Sequence, residues 1–185
     1  MLAQIKAQWG GKSDLWVFAY ASLIWRPDFD PAEQRLARIH GWHRALKMWS
    51  RVNRGTPAQP GLVFALLPGG SCQGAVLRVA QADGAAVLDQ LWEREMVTAV
   101  YDPRWLPCQT HQGLVQALGF TLSRKSPNFT GDLSAQHYRE IFAGSHGRYG
   151  STLDYASQTL QCLQQHGIHD QALHRLMRHA REPSR

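Results

Sequence analysis

The 185-residue chain predicts an α+β fold, strands first and helices last, on three observations. Short β-rich runs recur about every ten residues, at 15–24, 35–49, 61–67, 71–80, 105–109 and 113–122, the spacing of a barrel or sandwich. After Ser123 the apolar period changes from two to about 3.6. One helical segment, 83–96, interrupts the strands, which differs from a regular βαβ alternation. At roughly 150 residues per domain the length suits a single domain, 1–185, with residues 1–14 and 181–185 peripheral.

Taken in order, the first run reads as a buried strand. Its apolar stretch, 15–25, has eleven residues, fenced by Asp14 and Arg26, well short of the ~20 that span a bilayer. Before it, Gly10, Gly11, Lys12 and Ser13 interrupt the place where a signal peptide would need its apolar core. Between 61–67 and 71–80, Leu67-Pro68-Gly69-Gly70-Ser71 has the composition of a hairpin connection. The helix 83–96 carries Val87, Leu88, Leu91 and Trp92 at helical intervals. Ser134 can cap a short helix with Tyr138, Ile141 and Phe142, ended by Gly144. Ser151-Thr152-Leu153-Asp154 resembles a capping box, opening a helix whose inner stripe is Leu153, Ala156, Leu160 and Leu163 and which Gly167 stops. Asp170 starts a last helix with Leu173, Leu176 and Met177 inward, and the tail from Arg181 frays.

Composition removes several classes. With 44% hydrophobic and 18% charged residues the chain is globular rather than disordered. At this length folding buries about 70% of the unfolded surface, enough to need no staples. The cysteines, Cys72, Cys108 and Cys162, are odd in number and widely spaced, which indicates neither a disulfide framework nor a thiolate metal site; a reducing cytoplasm fits best. The net charge is +6, and residues 34–82 hold seven basic side chains and no acidic one. Such an interval suits an anionic partner, either a nucleic acid backbone or a small carboxylate, or is only a solvated face.

Three short stretches carry possible chemistry. Glu95 shares a helical face with Leu88 and Leu91, so its carboxyl points inward, where desolvation raises its pKa and makes it a better general base. A glutamate at a helix end can equally snorkel, or pair with an arginine. Glu93, about 200° around the helix at 100° per residue, belongs on the wet side with Asp89. The run Phe18-Ala19-Tyr20-Ala21-Ser22-Leu23 places small residues in a bulky strand, which lets a ligand approach backbone amides or serves close packing. Arg54-Gly55 sits in a turn, where arginine can clasp a carboxylate or simply cover a surface.

In this order and spacing, Trp16-Val17-Phe18-x-Tyr20-x-Ser22-Leu23-Ile24-Trp25, then Arg54-Gly55-Thr56-Pro57 with Pro60-Gly61, then Arg94-Glu95, resemble the ChaC-like γ-glutamylcyclotransferases. The likeness continues through Gly150-Ser151-Thr152-Leu153-Asp154-Tyr155 and Gly167-Ile168-His169-Asp170, so it covers nearly all of residues 15–180. It implies a small mixed β-barrel flanked by helices. It also implies release of 5-oxoproline and Cys-Gly from glutathione, by attack of the γ-glutamyl α-amine on its own γ-carbonyl. Glu95 matches the family's catalytic glutamate, and Val17, Phe18, Ala19, Tyr20, Ala21, Ser22 and Leu23 its substrate segment; Arg54, Gly55 and Tyr101 are lesser candidates around the pocket. The family's segment reads Tyr-Gly-Ser-Leu after another glycine, whereas this chain has Ala19 and Ala21, which would matter if either position needs positive φ or close ligand contact. The stretch 96–101 also departs from the family's glycine-containing form. Because the nucleophile belongs to the substrate, positioning replaces an enzymatic Ser or Cys, and no metal or organic cofactor is implied.

Other readings compete. The nine histidines include His40 with His43, His166 with His169 and His174 with His179, but no His-Glu-x-x-His. Gly-x-Ser-x-Gly is absent, and no cysteine has a histidine in a recognisable frame. From another class, a basic nucleic-acid-binding module could use the 34–82 interval with Trp42, Trp49 and Phe64, though no known motif for it is present. A cyclotransferase acting on other γ-glutamyl amines, or a protein that only binds them, is the nearer alternative. The expected partner is a small molecule, glutathione or another γ-glutamyl compound, with neither nucleic acid nor membrane; the oligomeric state is open.

Overall fold

The computed structural model describes residues 1–96 and 99–180. Two compact units are present: Met1–His43 with Leu66–Ser123, and Arg44–Ala65 with Arg124–Arg185. Five strands form a closed barrel in the order β1-β3-β2-β4-β5: β1 Leu15–Ala19, β2 Glu33–Ser50, β3 Gly61–Val79, β4 Asp102–Thr110 and β5 Gly113–Thr121. β1 runs antiparallel to β3, with Leu15 opposite Val79 and Ala19 opposite Ala75, and parallel to β5 at Val17–Leu118. β4 and β5 form an antiparallel hairpin from Asp102–Thr121 to Thr110–Gly113. The mixed barrel with flanking helices implied by the resemblance is the observed architecture.

The first unit buries Leu15, Val17, Phe18 and Ala19 of β1, so both faces of that strand are covered and its sequence is continuously apolar rather than alternating. The expected strand over 15–24 ends early. After Ala19 the chain turns and forms α2, Ser22–Trp25. A short apolar run does not by itself distinguish strand from helix; the punctuation that does is Ser22 at the start and Pro27 just beyond the end. The hairpin expected at 67–71 is also absent, since β3 continues through it, with Gly69 and Gly70 at φ 102° and 71° redirecting the strand without ending it. The interrupting helix, α3, spans Gln81–Glu95 and buries Val87, Leu88 and Leu91. An N-terminal helix, α1 Leu2–Trp9, lies in a stretch without a clear apolar period; it buries Ile5 and pairs Lys6 with Asp89 of α3.

In the second unit, α4 (Ala135–Gly144) starts at Ser134, whose side chain accepts from the His137 amide. A two-stranded ribbon, β6 His146–Gly147 with β7 Gly150–Ser151, leads into α5, Thr152–Gln165. The Ser151–Asp154 capping box is present. The inner face of α5 is rotated from expectation: Thr152, Tyr155, Ala156, Thr159, Cys162 and Leu163 are buried, while Leu153 and Leu160 are half-buried. The buried hydroxyls explain the rotation, because Thr152 Oγ1 accepts from the Leu62 amide and Thr159 Oγ1 donates to the Tyr155 carbonyl, making these positions acceptable inside. Helix α6, Gln171–Arg178, is capped by Asp170 and buries Leu173, with Leu176 and Met177 half-buried. The expected fraying from Arg181 lies outside the described residues.

Candidate active site

Glu95 is the last residue of α3, one turn beyond Leu91, and the inward face predicted from Leu88 and Leu91 is the one it occupies. Its side chain is 17% exposed. Burial pushes its carboxyl above the ordinary glutamate range, against the opposing pull of Arg94, whose Nε lies 3.0 Å from Oε1; Asp28 adds to the rise. An inward-pointing carboxyl and an arginine partner, which the sequence left as alternatives, are therefore both present. Glu93 is exposed, as its place on the helix requires.

The Arg94 guanidinium also reaches back to the segment after β1. Nη2 donates to Ser22 Oγ at 3.2 Å, and Nη1 to the Arg26 carbonyl at 2.6 Å and to Asp28 Oδ2 at 2.5 Å. In this way the end of α3 is tied to the start of α2. Arg94 further lines a cavity of about 300 Å³ with Pro27, Asp28 and Phe29, to which Glu93 rather than Glu95 contributes from α3.

Around this junction, Phe120 of β5 gathers the aromatic candidates. Tyr20 donates its hydroxyl to the Phe120 carbonyl at 3.0 Å, while the rings of Tyr101 and Trp92 meet the Phe120 ring edge-on at 6.1 and 6.4 Å. Val17, Phe18, Ala19, Tyr20, Ala21 and Leu23 are buried and Ser22 half-buried. Ala19 is in the β1 ladder and Ala21 has φ −144°, so neither alanine stands where positive φ is needed. Gly74 of β3 supplies the close approach instead: a Cβ there would lie 2.3 Å from the Ala19 carbonyl oxygen. The Trp25 indole N–H is buried with no hydrogen-bond partner among the described residues.

Arg54 and Gly55 belong to the second unit. The Arg54 guanidinium covers the Tyr155 ring at 4.8 Å and donates to the Tyr149 carbonyl, and the Arg54 amide donates to Ser50 Oγ at 3.0 Å. A Cβ on Gly55 would lie 2.0 Å from the Gly61 amide nitrogen, and one on Gly147 would lie 2.5 Å from the Gly55 nitrogen. These contacts make a tight glycine-lined backbone crossing.

No cysteine stands near a histidine in a recognisable sequence frame, yet Cys162 Sγ lies 3.7 Å from His166 Nδ1, one helical turn on. Burial raises the Cys162 thiol and pushes Cys108 up to about 12, the opposite of nucleophile activation. All three thiols are buried and none is in a disulfide.

The chain matches the family model described as ChaC-like protein over residues 15–183. It belongs to the ChaC-like family. Among relatives, the glutathione-specific gamma-glutamylcyclotransferase of Escherichia coli (strain K12) is 32% identical over 164 residues, covering 88% of this ChaC-like chain and 71% of that protein. The glutathione-specific gamma-glutamylcyclotransferase 1 of Danio rerio is 31% identical over 150 residues, covering 78% and 76%. The crystal structure of a yeast gamma-glutamyl cyclotransferase specific to glutathione superposes with a TM-score of 0.82 at 21% identity, over 92% of this chain and 96% of that one, a likeness of fold.

Proposed function

We propose that this ChaC-like protein is a γ-glutamylcyclotransferase acting on glutathione, a small-molecule substrate, in the cytoplasm. The observation that carries the reading is Glu95, a carboxyl whose pKa burial raises, paired with the Arg94 guanidinium that also reaches Ser22. The activity for which the Escherichia coli and Danio rerio relatives are named supports the same reaction.

In the proposed reaction the α-amine of the γ-glutamyl group attacks its own γ-carbonyl carbon. The new C–N bond closes a five-membered lactam, and the scissile amide C–N bond breaks. Glu95 takes a proton from the attacking nitrogen and delivers it to the leaving amide nitrogen, so 5-oxoproline and Cys-Gly form with no water consumed and no net proton change on the enzyme. A base with a raised pKa suits both halves, since it accepts readily near neutral pH and still returns the proton. Backbone amides of Tyr20–Leu23 are proposed to meet the developing oxyanion or the α-carboxylate. Val17, Phe18 and Ala19 hold that segment in the barrel, and Tyr20 and Tyr101, both against Phe120, shape its floor.

Arg54 and Gly55 are proposed to support this function through the fold of the second unit rather than by gripping the substrate, because both already have the partners described above. The ion pairs within the basic interval argue against a nucleic-acid module: Arg35 and Arg78 pair with Glu33, Arg78 also with Asp14, Arg44 with Asp170 and Lys47 with Asp132.

Mass spectrometry of the purified protein with glutathione tests the assignment. Equimolar 5-oxoproline and Cys-Gly are expected. Free glutamate, or no turnover of glutathione beside turnover of another γ-glutamyl amine, would overturn it.

A further inference from the structure

We propose that Arg94 is the positioning residue of this site: its guanidinium ties the Glu95 carboxyl to the Ser22 turn, and Asp28 is the counter-charge that governs how strongly Arg94 holds that carboxyl. The inference rests on the reading of Glu95 as the base and adds the device that aims it.

The geometry gives Arg94 four partners in different directions, Glu95 through Nε, the Arg26 carbonyl and Asp28 through Nη1, and Ser22 Oγ through Nη2. Only a planar guanidinium presents donors in a rigid fork of this kind; a lysine ammonium on the same stem is a point charge with no fixed in-plane fan. Fixing the carboxyl matters because an intramolecular cyclisation depends on proton transfer in one narrow geometry, and displacements of about 1 Å can cost on the order of 100-fold in rate.

Asp28 is held from two sides. Its Oδ1 accepts from Arg26 Nε at 3.1 Å and its Oδ2 from Arg94. It keeps φ 61°, a left-handed conformation that aspartate and asparagine tolerate better than most side chains. An arginine paired with Glu95 alone would hold that carboxyl as a carboxylate and weaken it as a base. Sharing the guanidinium with Asp28 divides that pull. The charged groups acting on Glu95 are Arg94 on its own helix and Asp28 in the segment after α2, the latter backed by Arg26.

These roles predict opposite movements of one observable. The acidic limb of the rate–pH profile, and the Glu95 carboxyl titration followed by 13C NMR with E95Q for assignment, are to be measured in wild type, R94Q, R94K and D28N, each checked for folding by circular dichroism. R94Q removes the cation and is expected to move the titration up by on the order of one pH unit. D28N releases Arg94 to Glu95 and is expected to move it down, while asparagine keeps the backbone conformation. R94K keeps the charge but not the fork, so the titration stays within about half a unit of wild type while kcat falls roughly 10- to 100-fold. A structural role alone would move neither titration, or both the same way, and either result overturns the proposal. If R94Q does not fold, D28N decides: a downward shift supports and an unmoved titration overturns. E95Q as active as wild type would overturn the Glu95 reading itself, whereas an inactive E95Q with unmoved R94Q and D28N titrations overturns the Arg94 proposal alone.

Discussion

Glu95 is a side chain whose charged form the fold disfavours, so the residue proposed to carry the chemistry also ties stability to pH. Its folded pKa lies above the unfolded value near 4.5. The proton is therefore bound more tightly in the native state, and the stability this contributes is present below about pH 4.5 and lost as pH rises through the folded pKa. E95Q, a neutral isostere, is expected to melt higher than wild type at pH 7–8, with the difference shrinking as pH falls toward 4.5; thermal melts across that range check it, and a lower E95Q melting temperature at pH 8 would contradict the desolvated carboxyl. The inward placement of Glu95 was legible because Leu88, Leu91 and Glu95 are spaced on one helical face. The task of Arg94 was not, since Ser22, Arg26 and Asp28 lie 72, 68 and 66 residues away in sequence, and no local pattern encodes such a partnership.

Among the elements, the segments that depart from the family pattern can be judged by backbone conformation. Ala19 and Ala21, where the resemblance implies glycines, do not need positive φ, whereas Ala99, in the stretch before β4, has φ 49°. A Cβ in that region costs roughly 1 kcal/mol. A99G is accordingly expected to stabilise by about that much, raising Tm by roughly 2–4 °C, and an unchanged or lowered Tm would contradict the left-handed turn. Caps were legible: Ser134, Ser151 with Asp154, and Asp170 each begin the helix they announced, because a side-chain oxygen that accepts from a first-turn amide is a local device. Strand ends were less so. The run after β1 and the Pro68–Ser71 stretch carry apolar or glycine signals that both strand and turn share, and tertiary pairing decides between them.

At the scale of the whole molecule, the net +6 is not a surplus of unpaired cations along 34–82. Four of its seven basic residues form ion pairs among the described residues, with carboxylates at 14, 33, 132 and 170, all outside the interval. A linear count of charge could not anticipate that. The most buried of these pairs, Arg44–Asp170, lies within the second unit; the Arg44 side chain is 3% exposed, and Asp170 accepts from its Nη2 at 2.7 Å while capping α6. D170A takes away that carboxylate and the cap together, an expected loss of about 3–5 kcal/mol, to be read from urea unfolding. D170N keeps a capping oxygen, so it should fall between D170A and wild type. The α+β class, the caps of the later helices and the inward carboxyl at Glu95 could be read from sequence, but the ties between distant segments needed the fold. In the proposed function a desolvated Glu95 shuttles the proton of an intramolecular cyclisation. Its most direct test is the initial rate of 5-oxoproline formation from saturating glutathione by folded E95Q beside wild type. A fall of at least about 100-fold is expected; an E95Q rate equal to wild type would contradict the proposed role of Glu95.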